Sequence, residues 1–351
     1  MPHHQDLPQT LNSPHQLTRS DFDAALRPGF RQATRASYGH LQDASEELTA
    51  VYVRPAGPAW LERDCPLCGD SAAHARPLLV KLGMELLTCA RCGMSYSRQV
   101  LREDAEQDLY VRSSFQTSYK HLKLNPAYAE LEATKCRYIM QQLRRHAVAA
   151  GSLLDIGAGS GCLLSAAREA GWKTRGIEAN PGFVDLCRST GLDVTQGFFP
   201  HTRLEDAKFD AVTLLDVVEH APDPKALLLA VRSQLADEGL LVLQVPNVDS
   251  LLVRLQGEAS SNFCIGHWNH FNSATLKKLA LIAGFEPLSI ETIISELDLI
   301  LEFPPARIAE TVAQITGSMP GDTTMDTEWL HERGLGYKVL GIFRKKALPD
   351  A

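Results

Sequence analysis

The chain has 351 residues, 44% hydrophobic and 22% charged, enough for one large domain with a smaller module beside it. Its formal charge is −7 and no basic run exceeds Arg344-Lys345-Lys346, which argues against a nucleic-acid partner. No apolar run approaches the ~20 residues that span a bilayer, and MPHHQDLPQTLNSPHQ lacks the basic lead and apolar core of a secretory signal, so a cytoplasmic location is expected.

Residues 1–60 are rich in Pro, Gln, Ser, Thr and Ala with little sustained periodicity. A poorly structured extension holding one short helix is expected there. Residues 61–98 follow as a distinct unit. Cys65-Pro66-Leu67-Cys68-Gly69 and Cys89-Ala90-Arg91-Cys92-Gly93 are two knuckles, each trailing glycine letting the chain turn tightly around its sulfurs. Cys65, Cys68, Cys89 and Cys92 together offer the four soft ligands of a closed tetrahedral zinc site. A redox role for one C-x-x-C is the competing reading, but it would not need the second pair. With all four positions filled by cysteine, the zinc is expected to be structural. Leu78-Leu79-Val80 and Glu85-Leu86-Leu87 suit short strands of a zinc ribbon.

Residues 99–150 read as a helical linker or cap, with apolar positions 131, 139, 140 and 143 along Tyr128 to Leu143. From Gly151 strands and helices alternate, the pattern of a parallel sheet covered on both faces. Strands are expected from Leu153, at Lys173–Ile177, Leu192–Thr195, Phe209–Leu215, Leu240–Val245, Glu286–Ile294 and Tyr337–Phe343. Between them fall helices at Cys162–Ala170, from Asn180 as cap with Pro181 in the first turn, at Pro224–Ala236, and at Ala274–Ala283 capped by Ser273. An inserted helix near Ala306–Ile315 precedes the last strand, and 347–351 is a tail.

The most informative stretch is Leu153-Leu154-Asp155-Ile156-Gly157-Ala158-Gly159-Ser160-Gly161-Cys162. It describes a strand ending in a tight turn onto a helix N-terminus, where bare backbone N–H groups face a ligand. The glycines fall as G-x-G-x-G, whereas the dinucleotide fingerprint is G-x-G-x-x-G, so a nicotinamide cofactor is the runner-up. Glu178, at the end of the second strand, is placed to accept hydrogen bonds from a ribose diol. Together LLDIGAGSG and GIEAN resemble motifs I and II of class I S-adenosylmethionine (SAM) dependent methyltransferases. The resemblance covers residues 151–346 and implies an α/β fold, a Rossmann-like seven-stranded sheet with its last strand antiparallel. It further implies that Asp155 and the loop of Gly157, Ala158, Gly159 and Gly161 hold the methionine end of SAM. Glu178 and Ala179 would border the ribose, Gly197-Phe198 the adenine, and Asp216 the amino-acid moiety. An ordinary turn cap is the alternative for Asp216. Cys162 reads as a small packing residue.

The acceptor side is less specified. After the fourth strand the chain reads Asp216-Val217-Val218-Glu219-His220, and the (D/N)PPY motif that grips a planar NH2 in amino-group methyltransferases is absent. D-x-x-E-H resembles the ubiquinone-pathway O-methyltransferases, which points to oxygen and to His220 as the base, with a buried ordering histidine as the alternative. His267-Trp268-Asn269-His270-Phe271 lies past a strand end, where His267 and His270 line an acceptor pocket walled by Trp268 and Phe271, or pack instead. A CPxCG ribbon ahead of the catalytic domain resembles a subgroup of bacterial methyltransferases, many of surface-glycan or natural-product pathways. A small-molecule or glycan-precursor acceptor is therefore expected. An RNA or protein methyltransferase holding its substrate on the ribbon, and a non-catalytic SAM-binding protein, are the rivals.

Overall fold

The computed structural model describes residues 16–25, 28–52, 59–112, 114–146, 149–202, 204, 208–317 and 325–346. The chain opens on two helices, α1 (Ser20–Ala25) and α2 (Pro28–Tyr52). This departs from the expected poorly structured extension. Phe30, Thr34 and Tyr38 recur at i, i+4 and i+8 along α2, and Phe22 and Phe30 are buried. Phe22 packs edge-on to Tyr138 at 5.1 Å. Weak helix formers such as Gly, Thr and Ser hide this amphipathic stripe in the sequence, and packing supplies what propensity lacks.

The ribbon follows: β1 (Trp60–Glu62), β2 (Arg76–Lys81), β3 (Met84–Thr88), β4 (Ser95–Ser97) and β5 (Gln99–Leu101). Helices α3 (Glu103–Arg112), α4 (Ser114–Lys123) and α5 (Pro126–His146) then lead into the main sheet. There β6 (Ser152–Ile156), α6 (Cys162–Glu169), β7 (Lys173–Glu178), α7 (Pro181–Ser189), β8 (Val194–Gln196), β9 (Phe209–Leu215), α8 (Pro224–Gln234) and β10 (Leu235–Pro246) alternate. After α9 (Leu251–Gln256) come β11 (Asn269–His270), α10 (Ser273–Ile282), β12 (Phe285–Ile293), α11 (Leu297–Ile300), α12 (Pro305–Thr316), α13 (Thr327–Glu332) and β13 (Lys338–Lys345).

The seven strands stand in the order β12-β13-β10-β9-β6-β7-β8, with β13 antiparallel to both neighbours, as the resemblance implied. Central strands carry near-continuous apolar runs because both faces are covered. Leu154, Val212 and Leu241 face α8 and α10, while Leu153, Ala211 and Val242 face α5, α6 and α7. Each such leucine, fully removed from water, contributes about 2 kcal/mol.

Two element ends shift. Asn272, not Ser273, caps α10: its side chain accepts from the Thr275 amide, and the Thr275 hydroxyl accepts from the Asn272 amide. The fifth sheet strand starts at Leu235, pairs with Phe209, then bulges through Glu238 at φ +59 before Leu240 meets Ala211. The tail 347–351 lies outside the described residues. No described helix is long and apolar enough to cross a membrane.

Strand β11 does not join the seven-stranded sheet. It completes a second sheet, β11-β4-β3-β2, so a segment that follows β10 in the chain is the fourth strand of the ribbon.

Candidate active site

Above the carboxyl ends of β6, β7 and β9 lies a cavity of about 800 Å³. That is ample for a cofactor and a small acceptor together. Its floor is the predicted loop. Gly157 has φ +76 and donates its amide to Ile177 O at 2.8 Å; a Cβ there would stand 2.6 Å from Val217. Asp155 is buried and accepts from the Thr213 hydroxyl at 2.6 Å. Burial pushes its carboxyl up to about 7, against the pull of that hydroxyl. Glu178 accepts from the Gly159 amide at 2.8 Å through one oxygen and from the Asn180 amide at 2.7 Å through the other. Burial raises its pKa while these amides oppose the shift. A carboxylate offers about four lone-pair sites, so two amides leave room for a diol.

Ala158, Gly159, Ala179, Gly197 and Phe198 also line the cavity. Gly161 does not. It opens α6 at φ +76, and a Cβ there would fall 2.4 Å from Leu192 and 2.9 Å from the Cys187 sulfur. Its smallness lets α6 pack against Leu192 and Cys187.

Asp216 also stands in the lining, at φ +57. Burial alone would raise its pKa, but Lys338 at 2.8 Å holds the carboxyl well below the usual range. Gln244 donates to it at 3.1 Å. Further along the wall, Glu132 accepts from Lys123 at 3.0 Å and Lys135 at 2.7 Å.

Across the cavity stand two of the three predicted histidines. His220 places Nδ1 2.8 Å from the Gly266 carbonyl, and His267 places Nδ1 3.0 Å from the Asn262 carbonyl. A carbonyl only accepts, so Nδ1 carries the proton in both rings and Nε2 keeps its lone pair. The rings are 4.8 Å apart. Burial lowers His220 to about 4 and His267 well below its ordinary value, leaving both neutral near pH 7. Tyr110 brings its hydroxyl within 2.8 Å of His220 Nδ1. Glu219 is buried with neither carboxylate oxygen hydrogen-bonded among the described residues. Burial, then the charge of Asp216, pushes it up to about 8. Ligand atoms of Glu219, His220 and His267 all lie within 4.8 Å of one another, close enough to hold a metal ion as well as to share protons.

His270 is the exception. It pairs through β11 with Ser95, is buried beside Phe263, and stands outside the cavity lining. Trp268 and Phe271 are likewise buried away from the lining instead of walling it. Trp268 donates its indole N–H to Glu106 at 3.0 Å. Glu106, which burial pushes up to about 7, and Lys338 are cavity residues that no local motif announced. Both reach the site from distant helix or strand positions.

In the ribbon, the four cysteine sulfurs lie within 4.8 Å of one another, with Cys65–Cys92 at 3.5 Å and Cys68–Cys89 at 3.6 Å. Sulfurs around a tetrahedral zinc with ~2.3 Å bonds stand about 3.8 Å apart, so the donor set fits. Gly69 and Gly93, at φ +71 and +79, close the knuckles by donating to Cys65 O and Cys89 O.

A protein family described as a methyltransferase domain matches residues 128–290. Over that stretch the chain is similar to a methyltransferase domain. Similar curated proteins are ubiquinone biosynthesis O-methyltransferases. That of Histophilus somni is 28% identical over 129 residues, covering 34% of this chain and 53% of the relative. That of Xanthomonas campestris is 33% identical over 110 residues, covering 29% and 46%. The chain thus spans about half the length of these relatives. Among solved structures, a 1,6-didemethyltoxoflavin-N1-methyltransferase from Burkholderia thailandensis matches at TM-score 0.46 and 16% identity, over 78% of this chain and 100% of that one. A SAM-dependent methyltransferase from Archaeoglobus fulgidus matches at 0.44 and 20%, over 61% and 94%. The matched family segment begins in α5 and ends in β12, so it holds Asp155, Glu178 and both histidine loops, while residues 61–98 lie outside it.

Proposed function

We propose that this protein moves a methyl group from SAM to an oxygen of a small-molecule or glycan-precursor acceptor. The observation that carries this reading is a single cavity joining the Asp155–Glu178 crevice to two neutral histidines with bare Nε2 atoms. When bound, SAM supplies a methyl group on a sulfonium that is itself a strong leaving group. The protein's tasks are then alignment and removal of one proton. Asp155 takes the methionine ammonium, Glu178 the ribose hydroxyls, and Gly197-Phe198 border the adenine. Asp216, paired with Lys338, stands in the cavity wall where it borders both the amino-acid end of SAM and the acceptor side. His220 Nε2 accepts the acceptor's hydroxyl proton, with Nδ1 fixed by Gly266 O, and His267 lies beside it as the alternative acceptor of that proton.

We further read Cys65, Cys68, Cys89 and Cys92 as a structural zinc site. The units are a helical N-terminal arm, a ribbon at 61–98, a helical cap at 99–150 and the methyltransferase domain at 151–346. The arm is reread as helical because α1 and α2 pack through Phe22 and Phe30. Incubating the protein with SAM and a metabolite extract tests the reading. A product gaining the mass of one methyl, lost in His220→Ala, supports it; SAM left unconsumed against every acceptor pool counts against it.

A further inference from the structure

Two knuckles ahead of a catalytic domain look like a separable module, yet the contacts here run the other way. Arg63 stands two residues before Cys65 and is half-buried. Its Nε donates to Ser97 O in the ribbon at 3.0 Å, one Nη to Pro222 O at 2.8 Å, and the other to Trp268 O at 2.5 Å. Pro222 is two residues past His220, and Trp268 directly follows His267. One guanidinium thus ties the ribbon to both histidine loops.

The surrounding bonds repeat the link. The Ser97 amide donates to Trp268 O at 2.9 Å, and β11 pairs with β4 through Asn269–Tyr96 and His270–Ser95. The Trp268 amide donates to Glu219 O at 2.9 Å, and the Asn269 side chain donates to Ala221 O at 2.7 Å. Leu67, Leu87, Met94 and Tyr96 of the ribbon share the core that holds Val218 and Phe271. No bond in this set touches the glycine loop or Glu178.

We propose that the cysteine ribbon is an internal strut that sets His220 and His267, with Arg63 as the positioning residue that transmits its fold to them. This rests on the zinc reading of the four cysteines and adds a role to it. A small ribbon owes most of its folding energy to its metal. Losing the metal frees β4, Arg63 and then the carbonyls that fix the Nδ1–H form of both rings. The cofactor half stays as it is.

The test uses the full-length protein, metal-loaded and chelator-treated, with Arg63→Met and Arg63→Lys. Metal content is measured directly and SAM affinity by calorimetry. Nitrogen NMR of labelled histidine rings, assigned with His220→Gln and His267→Gln, reads the tautomers without any acceptor. Loaded protein is expected to show both rings protonated at Nδ1. Chelation, and Arg63→Met with metal retained, convert them to a mixture with the Nε2–H form, while SAM affinity stays within about threefold. Arg63→Lys, which keeps the charge without the three-way fork, recovers part of the Nδ1 form. Unchanged ring signals after metal loss overturn the strut, and so does a loss of SAM affinity as large as the ring change. A loaded chain that never binds SAM sinks the methyltransferase reading instead, leaving the ring result to judge the strut alone.

Discussion

The two halves of the cavity are built on opposite plans. The cofactor half is mostly local: Asp155, the glycine turn and Glu178 lie within two consecutive strand–turn units. Glu178 accepts from the Gly159 and Asn180 amides, and the Thr213 hydroxyl on Asp155 is the distant bond of this half. The acceptor half is long-range, with Tyr110 reaching His220 across 110 positions and Lys338 reaching Asp216 across 122. Local geometry is fixed by turn chemistry and strand ends, which a whole fold can reuse. Long-range geometry is fixed by packing, so this half is where a relative with the same crevice is free to differ.

The sharpest way to break this contrast is to damage one half and measure the other. His220→Ala should lower turnover by about 100-fold or more, the usual worth of a positioned base, while SAM affinity is retained. If calorimetry shows both falling together, the histidine is part of the scaffold. Gly157→Val should do the reverse. It puts a branched side chain at φ +76 and against Val217, and should weaken SAM binding by about 100-fold or more with the fold retained by circular dichroism. A pH series sharpens the comparison more gently. Asp155 is raised by burial to about 7, so it is ionised above that pH and progressively neutral below. SAM affinity should therefore fall several-fold per pH unit as pH drops below about 7, whereas His220, lowered by burial to about 4, stays largely neutral over the same range. A flat affinity profile from pH 8 to 5.5 would remove Asp155 from the cradle.

How much of this was legible in the sequence follows the same division. The seven strands, Asp155, the Gly157 turn and Glu178 could be read because each is announced by adjacent residues. Gly161 belonged to the same motif but works in packing, since only the fold brings Leu192 and Cys187 against it. On the acceptor side, D-x-x-E-H marked His220, and His267 was flagged as part of a cluster, while Glu219 sat inside the motif with no role assigned to it. The cluster could not say that β11 turns His270 toward the ribbon, nor that Glu106 and Lys338 arrive from elsewhere. The N-terminal helices were missed because their stripe of Phe30, Thr34 and Tyr38 means little until α5 gives it a surface to cover.

Everything depends on a ribose-binding carboxylate at residue 178, and calorimetric titration of SAM into wild type and Glu178→Ala measures that most directly. Two charge-assisted hydrogen bonds of about 1.5–3 kcal/mol each correspond to at least about 100-fold in affinity. The expected result is saturable SAM binding in wild type, weakened by that factor in the variant. Equal affinity in both proteins, or a wild type that takes up a nicotinamide dinucleotide and not SAM, would contradict it.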